Sequence, residues 1–307
     1  MNKNKVISLV GLVIVVFLWG IAPVFSKYVF DNGYYSPALL VTLRGALSIV
    51  VMGVFILITK GFKEVKKAYL ICIPAGIILG AAYLFQFIGL ETTTPAKNTF
   101  LESLSCIAVP VCMFLLVREK PTLASIGAAI ICLVGSFVLC GNGLDFSAMF
   151  TAPTTGDILS AIAGILFGID IAFTKVFAKG KNPHVYVFFQ LIILTIMALI
   201  YSLSFERPLL FSYRWDNLLI LVFLGVFCTA YCWVTRTICI RNVSAVTCAV
   251  LMPMSAVICT LASIIFRLES FSWNVVVGGV IITFAIVLSG IYDAINEKKK
   301  ETANEQN

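Results

Sequence analysis

Long apolar runs are the feature of this sequence that most limits its possible folds. The 307 residues are 60% hydrophobic and only 12% charged, whereas a soluble domain carries about 25% charged residues. The apolar residues form runs of about 20 residues, the length that an α-helix needs to cross about 30 Å of hydrocarbon. We therefore predict an all-α membrane protein, since a β-barrel would show alternating segments of about ten residues instead.

The runs predict ten transmembrane helices joined mostly by short connections. They cover residues 6–30, 36–59, 68–90, 96–117, 122–140, 156–178, 185–204, 217–237, 244–266 and 271–292. The longest connection, residues 141–155, is rich in Gly, Pro and Thr and divides the chain into two halves.

Basic residues are concentrated on one side of the predicted bundle. The residues counted on that side are Lys3, Lys5, Lys60, Lys63, Lys66, Lys67, Arg118, Lys120, Lys179, Lys181, Arg236, Arg241, Lys298, Lys299 and Lys300. By the positive-inside rule this bias places both termini in the cytoplasm. We expect a multi-pass protein of a bacterial cytoplasmic membrane, with a polar cytoplasmic tail at residues 296–307.

The two halves share an internal pattern. Trp19 precedes Lys27 by eight residues, and Phe167 precedes Lys175 by the same number. Each half has five predicted spans, and an odd number means that the halves insert with opposite orientations. Inverted repeats are typical of secondary transporters, whose substrate site lies near the midplane between the repeats. We predict one repeat at residues 1–145 and an inverted one at 146–295.

Short motifs follow one another in the same order in both halves. Those of the first half are Trp19-Gly20 with Lys27, Pro37 with Arg44, Thr93-Thr94-Pro95-Ala96, and Glu119 with Gly127. Those of the second half are Gly156-Asp157, Asn242-Val243-Ser244-Ala245, Pro253, and Glu269 with Gly278. Together they resemble the drug/metabolite transporter superfamily, specifically its EamA type with two five-helix repeats.

The resemblance implies secondary transport of small metabolites, often amino acids or drugs, by exchange or proton coupling and without ATP. The sequence contains no P-loop pattern (GxxxxGK[ST]), which agrees with the absence of ATP hydrolysis. The resemblance also implies that the third and eighth helices lie beside a central cavity.

A carboxylate, Glu102, lies inside the fourth predicted span. Ionisable residues within a membrane are costly, and their default interpretation is functional. Asn98 and Ser105 lie within about one turn, so the three side chains can share a helix face. Glu102 could bind a substrate ammonium group or carry a proton, because burial favours the neutral form of a carboxyl group. The alternative is a structural ion pair with Arg44, which lies at a similar depth.

Asp170 is the second carboxylate within a predicted span. It either lines the cavity or forms a local pair, and both readings stay open from the sequence. We assign proton coupling or ion pairing to the set Glu102, Arg44 and Asp170.

Aromatic and polar side chains complete the predicted substrate site. A cavity for amino acids or drugs needs aromatic faces and a few polar groups, although each of these residues could instead serve ordinary helix packing. The predicted substrate-binding set is Glu102, Asn98, Ser105, Tyr83, Gln86, Trp19, Asp170, Tyr231 and Trp233.

These features predict a secondary active transporter that moves an amino acid or related amine by alternating access, with export favoured by the resemblance. A membrane-embedded enzyme would need a nucleophile and base or a metal cluster, and the chain has one histidine, so we expect no enzyme activity, cofactor or metal. A passive channel would need a continuous polar lining. The net charge of +7 comes from loops and does not indicate nucleic acid. The sequence leaves monomer and homodimer open.

Overall fold

The computed structural model describes residues 3–59, 67–119, 122–140, 154–207, 209–212 and 214–288, which form a nearly all-helical bundle. Eight helical stretches in this part of the chain are long and apolar enough to cross a membrane, and two shorter apolar helices accompany them. The single β-bridge found there joins Tyr35 and Phe211. The prediction of an all-α membrane protein with about ten spans is confirmed.

The first half contains five spans, of which the fourth is divided into two helices. These helices are α1 Lys3–Asp31, α2 Pro37–Ile58, α3 Cys72–Thr92, α4 Pro95–Glu102, α5 Ser105–Val117 and α6 Leu123–Cys140. A short 3-10 turn at Lys67–Ile71 precedes α3. The fourth span is therefore the pair α4 and α5.

The second half repeats this plan, with its fourth span (the ninth of the chain) divided in the same way. Its helices are α7 Thr155–Phe177, α8 Pro183–Phe205, α9 Trp215–Val222, α10 Cys232–Cys239, α11 Ala245–Leu251, α12 Met254–Ile265 and α13 Trp273–Leu288. A π-helical segment at Phe223–Tyr231 joins α9 to α10 within the eighth span. Such segments are frequent at functional sites.

Hydroxyl caps start both divided spans. The Thr94 side chain accepts a hydrogen bond from the backbone N–H of Lys97, and Pro95 occupies the first turn of α4. The Ser244 side chain accepts from the backbone N–H of Thr247 at the start of α11. These caps satisfy backbone donors that a helix N-terminus leaves free, so the sequence itself fixes where each span begins.

The two divided spans break at equivalent positions for different chemical reasons. Ser103 follows the Thr94 cap by nine residues, and Pro253 follows the Ser244 cap by nine. Pro253 has no N–H to donate and interrupts the helix. Ser103 instead hydrogen-bonds back to the Thr99 carbonyl at 3.3 Å, an arrangement that bends helices.

Two glycines let α7 approach the break between α4 and α5. A Cβ atom on Gly164 would collide with the carbonyl oxygen of Leu101, and one on Gly168 would collide with Ala108 and press on Ser105. Small residues of this kind permit close helix contact in membranes. The break is therefore held directly against the first helix of the second half.

Several sequence predictions fall outside the described residues. They are the 145/146 repeat boundary, residues 141–153 of the long connection, the tail at 296–307, and the basic residues Lys60, Lys63, Lys66, Lys120, Lys298, Lys299 and Lys300.

Candidate functional site

A cavity lies between the two halves and is bounded by both helix breaks. Ser103 and Ser105 line it at the first break, and Met252 and Ser255 line it at the second. Seven residues from the predicted site and coupling sets also line it, namely Trp19, Arg44, Tyr83, Gln86, Glu102, Ser105 and Trp233. Most of the predicted site is thus gathered in one place.

Glu102 is the last residue of α4, directly before the break. Its Oε1 accepts a 2.6 Å hydrogen bond from Nε2 of Gln86, and its side chain is partly exposed to the cavity. Within the described residues Glu102 forms no ion pair. The free carbonyl groups at a helix C-terminus carry partial negative charge, so the end of α4 adds to the attraction that this carboxylate exerts on a cation.

Arg44 reaches the same cavity from α2 and is only 2% exposed. Its Nε donates to Oγ1 of Thr229 at 2.8 Å, and its guanidinium lies 5.4 Å and 5.1 Å from the ring centres of Tyr83 and Phe87. The described part of the chain gives it no acidic partner. The alternative in which Arg44 pairs with Glu102 is not what the structure shows, because Thr229 and the two rings hold the guanidinium while Gln86 holds the carboxylate.

Asp170 forms a local pair and does not line the cavity. Its Oδ2 lies 2.6 Å from a terminal nitrogen of Arg236, and its Oδ1 accepts a 2.6 Å hydrogen bond from Gln190. Asp170 and Arg236 are 0% and 1% exposed. Of the two readings that the sequence leaves open for Asp170, cavity lining and a local pair, the structure shows the pair. Its partner, Arg236, is not one that the sequence suggests.

Arg236 is the main functional candidate that sequence reasoning missed. From the sequence it lies near the end of the span 217–237 and counts with the basic residues of the cytoplasmic side, whereas in the structure it is a buried residue of α10 that lines the cavity. Its guanidinium stands 4.3 Å from the ring centre of Trp233. Trp233 and Arg236 are three residues apart and therefore share a helix face, a signal that could have placed Arg236 inside.

Aromatic rings form one wall of the cavity and join the two halves. Nε1 of Trp233 donates to the hydroxyl oxygen of Tyr83 at 2.6 Å, and the ring centres of Trp19 and Trp233 are 5.0 Å apart. Nε1 of Trp19 donates to the carbonyl of Cys228 at 2.9 Å. Phe167, which was not among the predicted site residues, lies against both Tyr83 and Trp233. Hydrogen bonds therefore orient Trp19, Tyr83 and Trp233 within this wall.

Besides Asp170, two predicted site residues do not line the cavity. Tyr231 is 43% exposed, because it precedes Trp233 by two residues and so points to the other side of the helix. Asn98 is fully buried and donates to Ser160 at 2.7 Å and to the Gln86 carbonyl at 3.2 Å. It thereby holds α4 to α7 and α3, behind the site.

The candidate site offers charge and ring chemistry and not metal ligands. In the residues that the structure describes, no cluster of three His, Cys, Asp or Glu side chains could hold a metal ion. What converges on the cavity is one carboxylate, two guanidinium groups and the rings. One of the guanidinium groups, that of Arg236, is already paired with Asp170.

Comparison with known proteins agrees with this architecture. Residues 6–141 and 154–291 match the EamA-like transporter family. A curated relative described as an uncharacterized transporter of Archaeoglobus fulgidus is 25% identical over 180 residues, which are 59% of this chain and 53% of the relative. The match therefore spans about half of that relative's length.

A protein of known crystal structure has the same fold. It superposes with a TM-score of 0.73 over 93% of this chain and 96% of its own, at 16% identity, a level that shows the fold alone. The family match covers nearly the whole chain. The chain therefore belongs to the EamA-like transporter family.

Proposed function

We propose that the protein is a secondary active transporter of a zwitterionic amino acid, or a closely related amine, that works by alternating access. One observation carries the proposal: the cavity contains a carboxylate, Glu102, and a guanidinium, Arg44, that have no oppositely charged partner among the described residues. Leaving charges unpaired in a membrane is costly. A zwitterion would supply both missing partners at once.

The substrate ammonium group would bind Glu102. A carboxylate beside the C-terminal end of α4 attracts a cation twice, through its own charge and through the helix dipole. Gln86 holds one oxygen and leaves the other free for the ligand. A charge-assisted hydrogen bond in such a site is stronger than a neutral one.

The substrate carboxylate would bind Arg44. Its Nε is used by Thr229, so its terminal nitrogens remain available as donors. A planar guanidinium suits a carboxylate because two of its N–H groups can bind both oxygens. The wall of Trp19, Tyr83 and Trp233 then favours an apolar substrate side chain, since such rings bury large apolar area.

Coupling would arise at Glu102. A proton and a substrate ammonium group compete for the same carboxylate, so release of one accompanies binding of the other. This competition supports either proton coupling or exchange. Asp170 is better suited to a structural role, because Arg236 and Gln190 already satisfy it. The family resemblance favours export. The distribution of basic residues favours a bacterial cytoplasmic membrane with both termini in the cytoplasm.

Uptake into proteoliposomes tests this function. A panel of amino acids, each with and without a pH gradient, should reveal saturable uptake of at least one apolar amino acid. Its N-acetyl derivative and its methyl ester should compete at least tenfold less well, because each lacks one charge. Equal competition by both analogues would contradict the zwitterion assignment. Uptake that shows no counterflow would instead indicate the passive channel considered above.

A further inference from the structure

Two lysines occupy matching positions in the two halves and bind matching helix ends. Nζ of Lys27, on α1, donates to the carbonyls of Leu90 and Glu91 at 3.3 and 2.8 Å. Nζ of Lys175, on α7, donates to the carbonyls of Ile240 and Val243, both at 2.7 Å. We call these two sets of contacts the Lys27 tie and the Lys175 tie.

Each tie uses carbonyl groups that a helix end leaves free. Leu90 and Glu91 belong to the last turn of α3, and Ile240 is the C-cap of α10; the second acceptor of Lys175, Val243, lies in the turn that follows. The last carbonyls of a helix have no partner within it and carry partial negative charge. A lysine ammonium is therefore a favourable partner for them, and it is held there without needing an acidic residue.

The two ties cross opposite ends of the cavity. Lys27 lies four residues beyond Pro23, and Lys175 lies four residues beyond Ile171; both Pro23 and Ile171 line the cavity. On the acceptor side, Leu90 lines the cavity itself. Each lysine thus fastens two cavity walls to each other just past the site.

Ile240, an acceptor of the Lys175 tie, also lies close to the cavity lining. Ile240 lies four residues, about one turn, beyond Arg236, which lines the cavity. Because α1 and α7 run in opposite directions in the inverted repeats, the Lys27 tie and the Lys175 tie lie at opposite ends of the bundle.

We infer that Lys27 and Lys175 are positioning residues of the transport cycle, each holding one end of the cavity closed. The inference rests on the proposed alternating-access function. To open toward one face, the protein breaks the tie at that end and keeps the other. The spacing shared by Trp19 with Lys27 and by Phe167 with Lys175 then has a cause: the cycle needs one tie in each repeat.

The ties are not identical, and the difference predicts a bias. Lys27 also lies 3.3 Å from Oδ1 of Asp31, an acid that can take the ammonium when the tie opens. The described residues give Lys175 no ion pair of this kind, and its two hydrogen bonds are short. The end with Lys27 therefore opens more readily than the end with Lys175.

Labelling of a cavity cysteine from each membrane face tests the inference without any substrate. Ser255→Cys, on α12, supplies the reporter, and the chain without it gives the background from native cysteines. Lys27→Met and Lys175→Met are compared in vesicles of both orientations with a membrane-impermeant maleimide. We expect the ratio of labelling rates from the two faces to shift at least about tenfold, in opposite directions for the two variants.

Arginine variants of the two lysines show whether the labelling ratio depends on the hydrogen bonds of the ties. Lys27→Arg and Lys175→Arg keep the donors and should retain the parent ratio; a methionine variant that does not reach the membrane is replaced by glutamine. Shifts in the same direction, or no shift, would overturn the inference. Opposite shifts in a protein that takes up no amino acid would support the role of the two ties and reject only the proposed substrate. Amino-acid uptake with unshifted labelling would support the substrate and reject the role of the ties.

Discussion

Glu102 and Asp170 are both carboxylates within membrane-spanning helices, and both accept a 2.6 Å hydrogen bond from a glutamine. They differ in what else they contact. Asp170 also pairs with Arg236 at 2.6 Å, whereas Glu102 faces the cavity and has no charged partner in the described chain. The comparison teaches that a carboxylate within a span is not by itself a binding group. Asp170 already has its counter-charge in Arg236, whereas the role that we propose for Glu102 rests on its having no charged partner among the described residues.

The two helix breaks show the same division of roles. The break in the first half ends at Glu102 and Ser103, and the break in the second half at Met252 and Pro253. The geometry is shared, but the acidic group comes from one half. Discontinuous helices near the midplane are a usual way to build a transporter site, so the fold supplies the place and one repeat supplies the charge.

The largest expected effect comes from removing the charge of Asp170. Asp170→Asn leaves Arg236 buried without an anion, which costs about 3–5 kcal/mol. Glu102→Gln removes no ion pair and should change stability by less than about 1 kcal/mol. Unfolding of the two purified variants in detergent, followed by size-exclusion chromatography after heating, measures the difference. Equal losses of stability in Asp170→Asn and Glu102→Gln would contradict the contrast between the two carboxylates.

A double variant sharpens the same contrast. Replacing a buried ion pair by apolar residues of similar size is often close to neutral. Asp170→Leu combined with Arg236→Met should therefore recover most of the stability that either single change removes. The matched control is Glu102→Gln with Arg44→Met, in which the two losses should simply add, since the side chains do not pair in the structure. Recovery in the control would show a contact between Glu102 and Arg44.

The glutamine partners give a smaller and more selective effect. Gln190→Met removes a hydrogen bond from a fully buried carboxylate and should cost about 1.5–3 kcal/mol. Gln86→Met frees Glu102 toward the cavity, so it should cost less stability and mainly lower transport by several-fold. Thermal unfolding and proteoliposome uptake, both measured on each variant, test the prediction. If Gln190→Met and Gln86→Met lost stability and transport to the same extent, the two glutamines would not have separate roles.

The smallest expected effect concerns Glu269, a carboxylate outside the membrane-spanning helices. Burial raises the pKa of Glu269, although hydrogen bonds from Thr94 and from the backbone of Ala96 act in the other direction. The folded state therefore keeps the proton at a pH where the unfolded chain has lost it, and stability falls as pH rises through this window. Glu269→Gln should remove that decline. Glu119→Gln, at an exposed residue, is the control and should keep it.

Much of this picture follows from the sequence, for identifiable reasons. Hydropathy is sufficient for the helices, because a bilayer admits few other structures. Glu102, Tyr83 and Trp233 line the cavity, in keeping with the expectation that ionisable and aromatic side chains within spans are candidates for a cavity wall. These three residues carry signals that are local in the sequence.

The remainder depends on contacts that a single sequence does not display. The break at Ser103 has no proline to announce it. Arg236 is counted with the cytoplasmic basic residues because a basic residue near the end of a span resembles a topology signal. The exposure of Tyr231 follows from its phase relative to Trp233, which hydrophobicity alone does not reveal. Each difference arises from tertiary packing between distant helices.

Binding of one apolar amino acid and its N-acetyl derivative to the parent protein and to Glu102→Gln tests the central claim most directly. Isothermal titration gives four dissociation constants from the same preparation. The account predicts that the parent prefers the free amine by at least about tenfold, corresponding to about 1.4 kcal/mol, and that the preference disappears in Glu102→Gln. A preference that is unchanged in the variant would contradict the assignment of Glu102 as the ammonium partner.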